Sequence, residues 1–178
     1  MTTKVRVGIL GVGFMGRTHG RILQSDPRAE LGAVFDVDAV RRAEAARELQ
    51  CAAAESEAAL LDSVDAVYVP LPNRLHAAAA RRALAAGKHV FCEKPFATSL
   101  DEARELRAAA LTSGRVFMVG HNRRFAPVYR FVKEALDGGL AATSAHFKMN
   151  RGELQGPAVI STRLRFTCST WRAGSSAR

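Results

Sequence analysis

Gly11-Val12-Gly13-Phe14-Met15-Gly16 constrains this chain more than any other stretch. The G-x-G-x-x-G stands directly behind a short apolar run, Lys4 to Leu10, in which Val5, Val7 and Ile9 alternate with Arg6 and Gly8. It also precedes a helical pattern carried by Phe14, Ile22 and Leu23. In a strand-turn-helix unit each glycine has a separate task. Gly11 permits the tight turn, Gly13 lets a pyrophosphate approach the backbone, and Gly16 lets helix and strand pack closely. The amides around Phe14 and Met15 and the positive end of the helix dipole then face the phosphates.

The glycine pattern alone also fits a bare turn, so its surroundings carry the argument. A second strand, Leu31 to Phe35, ends at Asp36, twenty residues after Gly16. A carboxylate there accepts hydrogen bonds from both adenosine ribose hydroxyls and repels a 2'-phosphate, which favours NAD. Arg41 and Arg42 keep NADP open, because an arginine close by can pair with that phosphate. A purely structural Asp36 would cap the next helix, a task for which Asp38 is better placed.

Further along, strands and helices alternate, as in an α/β doubly wound parallel sheet. Asp38 is expected to cap a helix to about Gln50, Cys51 to Ala54 to form a third strand, and Ser56 to open a short helix ending near Leu61. Asp65 to Val69 reads as the fourth strand, ending at Pro70. In Pro70-Leu71-Pro72-Asn73-Arg74-Leu75-His76, Asn73 can cap the alanine-rich helix that follows, and Gly87 fits its end. His76 is then either a cleft residue or an incidental polar group at a helix start. Lys88 to Phe91 supplies the fifth strand. Glu93-Lys94-Pro95 follows it, and there a carboxylate can orient a ribose while an ammonium sits near a reacting oxygen. A loop ion pair is the plainer alternative. Ser99 and Glu102 form a capping box for a helix ending at Gly114, and Arg115 to Val119 is the sixth strand. Gly11, Pro70 and Glu93 thus stand at three strand ends along one sheet edge.

Taken together, the glycine loop, the set Pro72, Asn73 and His76, and Glu93-Lys94-Pro95 resemble the signature series of the Gfo/Idh/MocA oxidoreductases, the family of glucose-fructose oxidoreductase and inositol dehydrogenases. Gly120-His121-Asn122-Arg123-Arg124-Phe125 resembles the segment by which that family leaves its sixth strand. The resemblance spans residues 4 to about 150. It implies a Rossmann domain over residues 1–120 and the start of an α+β second domain over 121–155. It also implies NAD(P)-dependent hydride transfer at the hydroxyl carbon of a sugar, polyol or related compound. In that family the lysine matching Lys94 lies by the nicotinamide and the substrate hydroxyl, and the glutamate matching Glu93 contacts the nicotinamide ribose. The segment matching Pro70, Pro72, Asn73 and His76 lines the cofactor cleft. His121, Asn122 and Arg123, with Arg124, are candidates for substrate contact or for a solvated hinge.

Family members are close to twice this length, and their second domain carries an Asp-x-x-x-His motif that this chain lacks. Pro127 should start a helix running to Gly138-Gly139, and Ala142 to Asn150 should open the second sheet. Residues 156–178 are rich in Arg, Ser and Thr without clear periodicity, as a slipped reading frame or a natural basic tail would be. An NAD-dependent dehydrogenase lacking its full catalytic site, and a non-catalytic dinucleotide-binding module, both accord with this. Relatives often form dimers or tetramers through the second sheet, which leaves homo-oligomerisation open.

Composition excludes other classes. The net charge of +9 invites a nucleic-acid reading, but residues 151–178 supply +4 of it. Most other arginines lie on alanine-rich helical stretches without interleaved aromatic rings. Cys51, Cys92 and Cys168 are odd in number and widely spaced, so neither a disulfide framework nor a metal site is indicated. Without a signal sequence or a run of about twenty apolar residues, a cytoplasmic address and no membrane partner are expected.

Overall fold

A computed structural model describes residues 3–139 and two short strands at 144–145 and 166–167. The chain divides into two compact units, Met1–His121 and Asn122–Arg178.

The first unit alternates strand and helix: β1 (Val5–Leu10), α1 (Phe14–Ser25), β2 (Ala29–Phe35), α2 (Ala39–Glu48), β3 (Ala52–Ala53), α3 (Glu57–Ser63) and β4 (Ala66–Val69). A 3-10 turn at Asn73–Leu75 then leads into α4 (His76–Ala85), β5 (His89–Cys92), α5 (Leu100–Thr112) and β6 (Phe117–Val119). The six strands form one parallel sheet in the order β3-β2-β1-β4-β5-β6. Strand order reverses between β1 and β4. In open parallel sheets the crevice outside the carboxyl ends at such a reversal is where ligands bind.

Helices cover both faces, which is why β1 is buried without interruption from Val7 to Leu10. Val7 and Ile9 pack on one face with Leu23, Val34, Ala45 and Leu49. Leu10, Val67 and Val69 point to the other, against Leu60, Ala80, Leu84 and Leu106. Each fully buried leucine contributes about 1.5–3 kcal/mol relative to an exposed one. On α4 the buried residues Ala77, Ala79, Ala80 and Ala83 give that helix a flat inner surface for close packing.

Most local expectations hold. Asp38 caps α2 by accepting from the amides of Val40 and Arg41, Ser56 caps α3 through Ala59, and Ser99 caps α5 through Glu102. Two details differ. The carboxylate of Glu102 reaches back to the amide and hydroxyl of Thr98, one residue beyond the usual capping-box partner. Asn73 caps nothing. It opens the 3-10 turn behind Pro72, whose carbonyl accepts from Leu75, and α4 begins at His76 without a side-chain cap. With that turn interposed, α4 starts two residues later than an Asn73 cap implies.

In the second unit a 3-10 turn spans Asn122–Phe125, and α6 runs Pro127–Asp137 with proline in its first turn. The strand expected over Ala142 to Asn150 is described only at β7 (Ser144–Ala145), which pairs antiparallel with β8 (Phe166–Thr167). The remainder of that strand and of residues 156–178 lies outside the described residues. Among the described residues no helix is long and apolar enough to cross a membrane.

Candidate functional site

The loop between β1 and α1 shows what its glycines are for. Gly11 has φ +95°, and a Cβ there would come within 2.8 Å of Leu71 Cδ2. At Gly16 a Cβ would lie 2.1 Å from the Gly11 carbonyl oxygen, so only glycine lets the helix cross this turn. Gly13 is different: a Cβ would meet nothing within 4 Å, and its φ of −67° is open to any residue. Protein packing therefore does not demand glycine at this position. The open space suits a group that must approach the backbone from outside.

No side chain caps α1. The amides of Phe14, Met15 and Gly16 are therefore available to an anion at the positive end of the helix dipole. Val12 is not available, because its N–H donates to Asp36 Oδ2 at 3.0 Å. Arg17 braces the loop from behind. Its Nε–H donates to the Val12 carbonyl at 3.2 Å while its guanidinium pairs with Glu44 and Glu48 on α2.

Asp36 is 8% exposed, and its other oxygen accepts from the Asp38 amide at 3.0 Å. Two protein donors leave each carboxylate oxygen a second acceptor position. The arginines that keep NADP open are placed unequally. Arg42 donates to the Asp36 carbonyl at 2.9 Å and lies over the Phe35 ring. Arg41, half exposed, approaches Asp36 at 3.8 Å and Asp38 at 3.4 Å.

At the ends of β4 and β5, Pro70 packs against the glycine loop, and Pro72 and Asn73 are exposed beyond it. His76 is 1% exposed. Its Nδ1–H donates to the Pro95 carbonyl at 2.6 Å, and its Nε2, also buried, has no partner among the described residues. It is thus neither an incidental surface group nor on the open side of the cleft. It stands behind the Glu93-Lys94-Pro95 loop and grips it. Lys94 is exposed, and the Lys94–Pro95 peptide is cis.

Glu93 is held at both oxygens: Oε2 accepts from the Lys94 amide at 3.1 Å, and Oε1 lies 3.0 Å from His19 Nε2. His19 meets Tyr68 and Phe91 edge-to-face, at 5.4 and 5.3 Å between ring centres, while those two rings stack at 4.5 Å. Desolvation, and secondarily the Asp26 charge, raises the Tyr68 hydroxyl pKa. Burial, with Glu93 adding to it, pushes the Cys92 thiol up to about 12. Neither group is an ionised base near neutrality.

Sequence reasoning missed His19. A signal existed, because the buried stripe Gly16, Gly20 and Leu23 on α1 has helical spacing that carries His19 towards the sheet. His121 is exposed at the end of the first unit, and Asn122 and Arg123 are exposed in the first turn of the second.

A family described as oxidoreductases with an NAD-binding Rossmann fold, Gfo/Idh/MocA, matches residues 5–121. The chain belongs to the Gfo/Idh/MocA oxidoreductase family. Within this family it is 39% identical over 131 residues to UDP-N-acetylglucosamine 3-dehydrogenase of Acidithiobacillus ferrooxidans, covering 74% of this chain and 41% of that one. Inositol 2-dehydrogenase 3 of Saccharopolyspora erythraea is 39% identical over 139 residues, covering 76% and 41%. Among solved structures, scyllo-inositol dehydrogenase from Lactobacillus casei with bound NAD(H) and scyllo-inositol superposes with a TM-score of 0.72 at 28% identity, covering 77% and 42%. The chain spans less than half the length of these Gfo/Idh/MocA relatives.

Proposed function

We propose that the first unit binds NAD across the β1–β4 reversal and contributes the cofactor half of a sugar or polyol dehydrogenase site. The observation that carries this reading is the open space at Gly13 beside the uncapped first turn of α1. That arrangement fits a diphosphate, and the protein's own packing does not require it. Gly11 and Gly16 shape the turn, Phe14 and Met15 offer amides, and Asp36 takes the adenosine ribose. Pro70, Pro72 and Asn73 line the crevice, with His76 supporting it from behind.

NAD, when bound, accepts the hydride. The chain's own groups bind and orient. Glu93 holds the nicotinamide ribose, and the Lys94 ammonium stabilises negative charge developing on the substrate oxygen. His121, Asn122 and Arg123 are assigned to the substrate side. Residues 1–120 form the dinucleotide-binding domain, 121–155 open a substrate domain, and 156–178 are a basic tail. The engagement of Arg42 with the Asp36 carbonyl and the Phe35 ring favours NAD over NADP, because that arginine is already committed.

A second reading, in which the chain binds NAD without turnover, is favoured by burial at Tyr68 and Cys92, which leaves neither group an ionised base beside the site near neutrality. Calorimetric titration with NAD and NADP tests the shared core of both readings, and no heat from either coenzyme overturns it. Incubation with NAD and a panel of polyols, followed by NADH absorbance, separates the two. Turnover supports the dehydrogenase, and thermal stabilisation without turnover supports the binding module.

A further inference from the structure

The histidine on α1 has no part in the site as assigned so far, yet it makes one of two contacts that fix Glu93. An ionised carboxylate only accepts, so in the 3.0 Å contact the Nε2–H of His19 donates to Glu93 Oε1. The two side chains are only 15% and 12% exposed. A charge-assisted bond shielded to this degree is worth more than a surface pair. The ring cannot swing away, because Tyr68 and Phe91 meet it edge-to-face and are themselves stacked on neighbouring strands in register. Gly120 flanks the carboxylate, where a Cβ would come 3.3 Å from Oε1 and 3.0 Å from the Phe91 ring, so a larger residue there would press on both groups. The remaining acceptor capacity of Glu93 is thereby aimed.

Topology says which part of the ligand this concerns. Asp36 and the glycine loop stand at the ends of β2 and β1, and Glu93 stands at the end of β5, across the reversal. A dinucleotide whose adenosine lies over β2 and whose diphosphate lies over β1 extends its other nucleoside towards β4 and β5. We propose that His19 is a positioning residue for the nicotinamide half of the dinucleotide, acting through Glu93 and tying the helix that receives the diphosphate to the loop that carries Lys94. The inference rests on the NAD-binding reading above and adds to it a residue that reads only one half of the ligand.

The test compares NAD with ADP, which lacks the nicotinamide nucleoside, by calorimetry on the full chain. His19→Phe preserves a ring in the aromatic box and removes the donor. It is expected to weaken NAD about tenfold, the worth of one hydrogen bond to a charged group, and to leave ADP within about twofold. His19→Gln keeps a donor and is expected to stay within about threefold of the unaltered chain for both ligands. In a Glu93→Gln background, His19→Phe is expected to cost NAD less than about twofold, because the bond it removes is already weakened. That cycle, with melting curves on each variant, separates positioning from damage to the fold. Equal loss of NAD and ADP, no loss of NAD, or an undiminished effect in the Glu93→Gln background overturns the inference while leaving the NAD-binding reading intact. An unaltered chain that binds neither ligand overturns that reading, and this inference with it.

Discussion

The Asp36 carboxylate accepts the Val12 amide at 3.0 Å and so ties the end of β2 to the glycine loop at the end of β1. The same side chain that faces the adenosine ribose in the proposed site also sets the shape of the diphosphate turn. Asp36→Ala should therefore act twice. It leaves the Val12 and Asp38 amides without their acceptor, a cost of about 2–4 kcal/mol read from urea midpoints. It should also weaken NAD more than NADP, because the carboxylate that repels a 2'-phosphate is gone. Equal weakening of both coenzymes would count against Asp36 as the ribose ligand.

Two alanine substitutions in one loop should give opposite patterns. Gly16→Ala places a Cβ 2.1 Å from the Gly11 carbonyl oxygen, so the turn must open. A loss of about 2 kcal/mol or more is expected, with low yield of folded protein. Gly13→Ala puts a Cβ into open space at a helix N-cap. About 1 kcal/mol at most is expected there. NAD binding should nevertheless fall sharply. A Gly13→Ala chain with full NAD affinity would show that nothing approaches the backbone at that point.

His76→Leu sets two effects against each other. Losing the Nδ1 bond frees the Pro95 carbonyl, which is near solvent, while the buried and unpartnered Nε2 is removed with the ring. Each is worth about 1–2 kcal/mol, so net stability should change by less than about 1 kcal/mol. The loop that His76 grips should nonetheless loosen, lowering NAD affinity about fivefold with little effect on ADP. A large drop in the urea midpoint would instead make His76 chiefly a core residue.

Burial pushes the Cys51 thiol up to about 11, and burial with Glu93 pushes Cys92 to about 12. Both values lie above that of an unfolded thiol, about 8.5, so the folded state holds these protons more tightly. Their contribution to stability is complete below about pH 8.5 and is lost as pH rises through 11–12. Urea midpoints should accordingly decline as pH rises above about 8.5. Peptide mapping after alkylation at pH 8 should find both thiols unmodified until the chain is unfolded, because the thiolate is the reacting form.

Features that depend on near neighbours were legible beforehand. The glycine loop, the Asp38, Ser56 and Ser99 caps and the six strands each announce themselves within a few residues. Contacts between distant segments were not. His76 and Pro95 are 19 positions apart, and His19 and Glu93 are 74 apart. No spacing rule links such pairs before the sheet assembles. Asn73 shows the converse, a residue type with a strong capping preference that instead opens a 3-10 turn ahead of an uncapped helix.

The central position of β1 also shapes how the chain is made. Val7 pairs with Ala29's strand on one side, through Leu31, and with Ala66 on the other. The second partner leaves the ribosome on the order of several seconds after the first at ordinary elongation speed. During that interval a nearly all-apolar segment has one flank unzipped, and the nascent protein must shelter it until residues 66–69 emerge.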